Sequence, residues 1–334
     1  MEGSLKSAVI GCGGIAQVHG AVLRDMEEAE LIACADIIPQ RAQAFGEKFG
    51  ARAYGSLEEL LEKEQPEVVH LCTPHYLHTP MAKLCAQRGI HVFTEKPPVI
   101  DREQWQAFSS LGDIPGVRVG VCFQNRYNPS VRLLRELLEG GKPGKLLGGR
   151  AFVTWSRDAA YYTESGWRGK LATEGGGALI NQSIHTLDLL VQFFGKASGA
   201  EASMANRHLK GVIEVEDTLE AAIDFNGRTA LFYATTAYCA NSPVMLELAC
   251  ENATLRMEEE NVTLLWADGR TEHRSFPQGG GPGAGKAYWG SSHGLCIGDF
   301  YRCVQAGEPF PNDIPGVRDT MELMLAVYQS AREG

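Results

Sequence analysis

Three absences narrow the field before any motif is read. No apolar run approaches the roughly 18–20 residues that a bilayer-spanning helix needs, so no membrane span is expected. There is no basic block, and the formal net charge is −10. Nucleic acid and anionic membrane surfaces would both be repelled, so neither is expected as a partner. There is no CxxC pair and no recurring short-spaced Cys/His pair, so no metal is expected. The nine cysteines (Cys12, Cys34, Cys72, Cys85, Cys122, Cys239, Cys250, Cys296 and Cys303) are scattered and odd in number. They read as buried reduced thiols of a cytoplasmic protein. Met1-Glu2-Gly3-Ser4 leads directly into the first expected strand, so no secretory leader is expected.

What is present is ordinary in amount and ordered in pattern. The 334 residues are 44% hydrophobic and 22% charged, a range suited to one very large or two ordinary globular domains. The first part alternates short Val/Ile-rich runs with amphipathic segments. Strands are expected at Leu5–Ile10, Leu31–Ala35, Val68–Cys72, Ile90–Thr94 and Val117–Phe123. Helices are expected at Ile15–Glu28, Gln40–Phe49, Ser56–Glu64, Thr79–Arg88 and Arg102–Ser110. Such βα repetition implies a doubly wound parallel sheet. After Phe123 the pattern changes. A helix from Asn128-Pro129 to Glu139 is followed by longer runs at Leu146–Trp155, Glu201–Leu209, Val215–Phe225, Thr229–Tyr238, Val244–Cys250 and Val262–Trp266. Asn226-Gly227 and Asp268-Gly269 are hairpin signals. Residues 278–285 are Gly-rich and read as loop, and helices at Leu295–Ala306 and Val317–Ala331 finish the chain. The expected fold is an α/β dinucleotide-binding domain over 1–123, then an α+β domain over 124–334 with a large, mostly antiparallel open sheet.

Gly11-Cys12-Gly13-Gly14-Ile15-Ala16 follows the first strand and opens a helix, the context in which a G-x-G-x-x-A turn binds pyrophosphate. Gly11 makes the tight turn, Gly13 admits the phosphates, and Ala16 allows close helix packing, with Gly14 and Ile15 completing the loop at the helix N-terminus. Asp36 ends the second strand, about 20 residues on, where a carboxylate accepts from both ribose hydroxyls and repels a 2′-phosphate. NAD is therefore expected over NADP, with Arg41 placed to cover the adenine. Thr73, Pro74 and His78 follow Val68–Cys72 and fall at the crevice, although this segment also serves as an ordinary helix start. Glu95-Lys96-Pro97-Pro98 follows the next strand. A lysine there can work as acid or base, and Glu95 can fix its ammonium or the nicotinamide ribose.

The third signature is Glu174-Gly175-Gly176-Gly177 leading to Asn181, His185 and Asp188. Ile180, Ile184, Leu187, Val191 and Phe194 form an apolar stripe at helical spacing. Asn181, His185 and Asp188 recur at i, i+4 and i+7, so they are expected on one polar face suited to substrate hydroxyls. Trp155, Arg157, Tyr161, Tyr162, Trp167 and Arg168 precede it. Aromatic faces stack on sugar rings, and arginines fork onto carboxylate or phosphate.

These blocks together resemble the Gfo/Idh/MocA oxidoreductases over nearly the whole chain, including His293, Ile297-Gly298-Asp299-Phe300 and Tyr328-Gln329-Ser330-Ala331 at the end. The resemblance implies that Gly11, Gly13 and Ala16 hold pyrophosphate, Asp36 the ribose, and that Lys96 is catalytic with His185. It implies a cis Lys96–Pro97 bond and a substrate site with Asn181, Arg157, Tyr161, Trp167, Arg168 and His293. Where the family has aspartate four residues before the histidine, this chain has Asn181, which can bond a hydroxyl but cannot take its proton. The expected activity is NAD-dependent oxidation or reduction of a sugar-type secondary alcohol or ketone. A redox-assisted glycosidase with tightly held NAD, and a non-catalytic NAD sensor, are the alternatives. A homodimer or homotetramer through the C-terminal sheet is expected.

Overall fold

The computed structural model describes residues 3–277 and 292–333. The chain begins β1 (Leu5–Ile10), α1 (Ala16–Asp25), β2 (Ala29–Ala35), α2 (Pro39–Phe49), β3 (Arg52–Tyr54), α3 (Leu57–Lys63), β4 (Val68–Leu71), α4 (His75–Gln87), β5 (His91–Thr94), α5 (Arg102–Ser109) and β6 (Val119–Val121). It continues α6 (Pro129–Glu139), β7 (Leu146–Thr154), α7 (Ala159–Thr163), α8 (Leu171–Glu174), a π-type turn over Ala178–Ser183, and α9 (Ile184–Phe194). Then come β8 (Gly199–Ala205), β9 (Thr218–Asp224), β10 (Thr229–Thr235), β11 (Met245–Cys250), β12 (Ala253–Glu258), β13 (Asn261–Trp266), β14 (Thr271–Ser275), α10 (His293–Ala306) and α11 (Ile314–Glu333).

Two compact units result. The first holds described residues 3–124 and 292–317; the second holds 125–277 and 318–333. The first break falls beside the expected boundary at 123/124. The chain then returns, because Cys296, Ile297, Phe300 and Tyr301 of α10 are apolar and fully buried in the first unit's core, where Phe93 packs against Phe300. Residues 278–285, read as loop, lie outside the described residues.

The first unit's sheet is parallel throughout, in the order β3-β2-β1-β4-β5-β6. The order reverses between β1 and β4, so the crevice lies beyond their carboxyl ends. The strands do not alternate in burial because both faces are covered: Val68, Val69, His70 and Leu71 of β4 are all buried. Ser56 caps α3 by accepting from the Glu59 N–H at 3.1 Å, as its spacing predicts. The helix expected to start at Thr79 instead starts at His75. Pro80 lies inside it, and Thr79 Oγ1 donates to the Pro98 carbonyl rather than capping.

The second unit's sheet runs β14-β13-β12-β11-β7-β10-β9-β8, antiparallel except where β7 meets β10. Asn226 and Gly227 turn β9 into β10 with φ of 57° and 86°, the geometry their sequence demands. The strand expected from Val215 starts only at Thr218. Glu216 and Asp217 use their carboxylates on backbone N–H groups of other segments instead: Glu216 on Gly177 and Leu179, Asp217 on Arg207, His208 and Leu209.

Candidate active site

The nucleotide half is built by the ends of β1, β2, β4 and β5. Gly11 turns with φ +84°, and a Cβ there would come within 2.7 Å of the Cys72 carbonyl oxygen. Only glycine lets β4 approach this closely. Gly13 is different: its φ is ordinary and no described protein atom lies within 4 Å of a Cβ built on it. Neither backbone nor packing requires glycine at 13, so the room it leaves suits a ligand. Ala16 is fully buried, and Ile15 starts α1 without a side-chain cap. Asp36 accepts from the Cys12 N–H and the Ile38 N–H, each at 2.8 Å, so one carboxylate ties the glycine turn to the end of β2. Ile37 beside it is 88% exposed, an apolar surface an adenine would cover. Arg41 is exposed in the first turn of α2. Thr73 Oγ1 is buried with no hydrogen-bond partner among the described residues. The open space at Gly13, the carboxylate at Asp36 and the orphaned Thr73 hydroxyl fit a dinucleotide.

Loops after β4 and β5 are joined by His78. Its Nδ1 lies 2.7 Å from the Pro97 carbonyl and its Nε2 2.8 Å from the Thr73 carbonyl. Both ring nitrogens face protein oxygens, so His78 supports the crevice rather than reaching a ligand, a different role from the one its position in the sequence predicts. The Lys96–Pro97 bond is cis. Lys96 is half-buried, and its backbone N–H points to Glu95 Oε2 at 3.3 Å. Glu95 is buried, with Oε1 3.1 Å from His19 Nε2. Burial alone would raise this carboxyl. The bond and charge of His19, with His293 and Lys96, instead hold it well below the usual carboxylate range. His293 opens α10 within this first unit, 6.4 Å from His19 between ring centroids. It faces the Glu95 cluster, a setting its expected substrate role did not include.

The second unit carries the polar cluster around Asn181 and His185, both half-buried. Asn181 falls in the π-type turn and donates its side-chain amide to Glu174 Oε1. Glu174 is fully buried and also accepts the Gly169 N–H. Burial, with the nearby Glu216 carboxylate, outweighs these bonds and the pull of Arg168, and the carboxyl is pushed up to about 7. The glycine run before Asn181 is a packing requirement: a Cβ on Gly177 would fall 1.9 Å from the Glu216 carbonyl. Asp188 does not join the polar face. It turns into the core, pairs with Arg126 at 2.8 and 2.5 Å, and accepts from Thr320 at 2.6 Å. The π-type turn shifts Asn181 relative to α9, while His185 and Asp188 both lie in α9, where Asp188 is drawn inward by its Arg126 and Thr320 partners.

Cations and rings interleave nearby. The Arg157 guanidinium sits 5.1 Å from the Trp155 ring centre and 5.2 Å from Tyr161. Arg168 sits 4.5 Å from Tyr161 and 5.1 Å from Trp167. Gln182 donates to Tyr161 Oη at 2.8 Å. Arg168 Nε is buried with no partner among the described residues. Tyr162 instead joins the core formed by Leu209, Ile213 and Val215.

The model of the oxidoreductase family with an NAD-binding Rossmann fold matches residues 5–123, and that of the GFO/IDH/MocA C-terminal domain matches 131–256. The chain belongs to the Gfo/Idh/MocA oxidoreductase family. Among Gfo/Idh/MocA relatives, D-glucoside 3-dehydrogenase of Escherichia coli K12 is 26% identical across 99% of this chain and 96% of its own. The WlbA dehydrogenase of Bordetella pertussis, solved in complex with NADH and UDP-GlcNAcA, is 29% identical with a TM-score of 0.85, covering 99% of this chain and 97% of that one. Levoglucosan dehydrogenase, solved with NADH and levoglucosan, shares the fold at 22% identity and a TM-score of 0.87, over 99% of this chain and 98% of that one. The first unit is thus an NAD-binding Rossmann domain of a dehydrogenase family acting on sugar-like molecules. Sequence reasoning quoted Glu174 but gave it no role, and it passed over His19, His70 and Glu216. For Glu174 the available signal was a carboxylate placed directly before the glycine run.

Proposed function

We propose that this protein is an NAD-dependent dehydrogenase acting on a secondary alcohol of a sugar or sugar derivative, with Lys96 as acid–base group acting with His185. The observation that carries this reading is the conjunction, in one chain, of a ligand-ready glycine turn with Asp36, a half-buried Lys96 at the end of β5, and the Asn181/His185 cluster. When bound, NAD supplies a hydride acceptor. Lys96 takes the hydroxyl proton, and His185 bonds the same oxygen or its neighbour as charge develops there. Asn181 orients an adjacent hydroxyl. Arg157 and Arg168, stacked on Trp155, Tyr161 and Trp167, suit a ring bearing an anionic group. The likeness to a dehydrogenase solved with a UDP-sugar acid supports including such substrates.

NAD is preferred because the Asp36 carboxylate meets ribose hydroxyls and repels a 2′-phosphate. The second unit self-associates through the outer face of its sheet, where Leu231 is 53% exposed and Phe152 packs edge-on to Tyr233. Among the described residues no helix is long and apolar enough to cross a membrane. Eight of the nine free thiols are buried, which supports a reducing, cytoplasmic setting. The test is a panel of sugars, sugar acids, glycosides and UDP-sugars with NAD and with NADP, followed by reduced-cofactor absorbance. NADH accumulation with a sugar-type substrate supports the assignment. Glycoside cleavage without net NADH would replace it with the glycosidase reading.

A further inference from the structure

The segment 165–171 of the second unit is tied down at nearly every backbone group around Arg168. The Ser165 hydroxyl accepts from the Arg168 N–H at 2.9 Å and from the Trp167 N–H at 3.4 Å. The Trp167 carbonyl accepts from Thr173 Oγ1, and the Gly169 N–H donates to Glu174 Oε2. The Gly169 carbonyl accepts from the Glu214 N–H at 2.7 Å, and the Glu214 carboxylate accepts from the Leu171 N–H at 3.0 Å. Glu214 belongs to the loop between β8 and β9, where Ile213 and Val215 pack with Leu209 and Tyr162. The backbone on both sides of Arg168 is therefore fixed before any ligand arrives.

The Arg168 side chain is placed with equal care and then given nothing to bond. Its guanidinium lies 4.5 Å from the Tyr161 ring centre and 5.1 Å from that of Trp167. Its Nε is buried with no acceptor, and its two terminal amino groups, which are not buried, donate to no described residue either. Stacking thus holds the cation in place while its hydrogen-bonding capacity stays unspent. Arg157 differs. Its Nη1 donates to the Ser156 carbonyl at 2.6 Å and to Asn241 Oδ1 at 3.1 Å, so it ties the aromatic wall to the end of β7. Glu174 feels the Arg168 charge, but its carboxyl oxygens are taken by Asn181 and Gly169. Gln182, next to Asn181, donates to Tyr161 Oη at 2.8 Å. Arg168 is therefore linked to the Asn181 cluster both through Glu174 and through Tyr161.

We propose that Arg168 makes the substrate site specific for an anion: its two terminal amino groups take a carboxylate or a phosphate carried by the sugar, and the site discriminates against the sugar that lacks it. The inference rests on the sugar-dehydrogenase reading and narrows it from a sugar-type alcohol to one bearing an added negative charge. The end of a guanidinium presents two parallel N–H donors, which match two oxygens of either group. A neutral hydroxymethyl in that place offers one weaker acceptor and leaves the charge uncompensated.

Two experiments on the full-length protein test this. The first measures rates with NAD on sugars that differ by one anionic group: glucose against glucuronate, glucose against glucose phosphorylated at its primary hydroxyl, and UDP-glucose against UDP-glucuronate. In at least one pair the member with the added anion should have the higher kcat/KM, by about tenfold or more, and which pair it is separates carboxylate from phosphate. Arg168→Met should cut that preference by roughly 10–100-fold, chiefly through KM. Arg168→Lys, which keeps the charge and loses the fork, should fall between the two, and it carries the comparison if Arg168→Met no longer binds NADH. A parent protein that uses both members of every pair equally, or a variant that loses activity on both members to the same extent, would overturn the proposal. The second experiment titrates the same compounds calorimetrically into NADH-saturated protein, where no oxidation runs. An anionic compound should bind, and Arg168→Met should abolish that binding. Anion binding that depends on Arg168, with no sugar oxidised, would sink the dehydrogenase reading and leave the anion site standing. Oxidation of a sugar, with no binding that depends on Arg168, would do the reverse. Absence of both would remove both.

Discussion

Glu95 and Glu174 are both buried, both lie next to a candidate site residue, Lys96 and Asn181 respectively, and their carboxyls are shifted in opposite directions. Glu95 meets an imidazole and feels His293 and Lys96, and stays far below the ordinary carboxylate range. Glu174 meets the Gly169 N–H and the Asn181 amide, with a second carboxylate, Glu216, close by, and rises to about 7. Burial opposes the charge in both places. What differs is whether a partner brings a proton and a positive charge or only a dipole. The first unit thus keeps an ionised carboxylate next to Lys96. The second keeps a carboxyl that gains or loses its proton near neutral pH beside Asn181.

The sharpest break of this contrast removes the group on the Glu95 side. Lys96→Ala should lower turnover by roughly 10²–10⁴-fold, the worth of a positioned acid or base, with NAD affinity unchanged by fluorescence titration. Near-normal turnover would remove Lys96 from the mechanism. His185→Ala should also depress kcat more than it raises KM.

Stability against pH separates the two carboxyls directly. Glu174 has a folded value near 7 against an ordinary 4.5. The folded protein therefore binds the proton more tightly, and this group removes up to about 3 kcal/mol of stability as pH rises from the ordinary value to about 7. Glu95 is depressed, so its contribution is present above the ordinary carboxylate value and is lost as pH falls below it. Glu174→Gln should flatten the first effect: its stability relative to the parent should improve between pH 5 and pH 7.5 in urea titrations. A constant difference across that range would show that Glu174 titrates normally.

Asn181→Asp tests the contact from the other side. It would set two carboxylates against each other, one of them obliged to hold a proton, so turnover should fall about tenfold near neutral pH. Adding Glu174→Gln should restore it, because the amide introduced at position 174 can donate to the carboxylate introduced at position 181. Full activity of Asn181→Asp alone would mean that Glu174 does not govern this side chain. The smallest effect is expected at the nucleotide end. Asp36→Ser should reduce the preference for NAD over NADP by about tenfold, read from kcat/KM for each cofactor.

What could be read from sequence follows the range of the interactions. Gly11, Gly13, Asp36 and Lys96 lie where strands end, and a strand's end is a local property of an apolar run and its turn residues. The hairpin at Asn226-Gly227 is local in the same way. Strand β12, Ala253–Glu258, alternates faithfully but is hidden between two stronger runs, and β14 is a polar edge with little apolar signal. The buried hydrogen bonds that join Tyr301 to Ser7 and to His70 link residues hundreds of positions apart, and no spacing reveals them. Asp188 leaves its expected face because its partners, Arg126 and Thr320, come from distant segments that no local spacing announces.

A crystal structure of the protein with NAD and a sugar it oxidises tests the central claim most directly. The account predicts Lys96 Nζ and a ring nitrogen of His185 within hydrogen-bonding reach of one hydroxyl, on the carbon facing the nicotinamide C4. A bound substrate whose reacting hydroxyl touches neither side chain would contradict it.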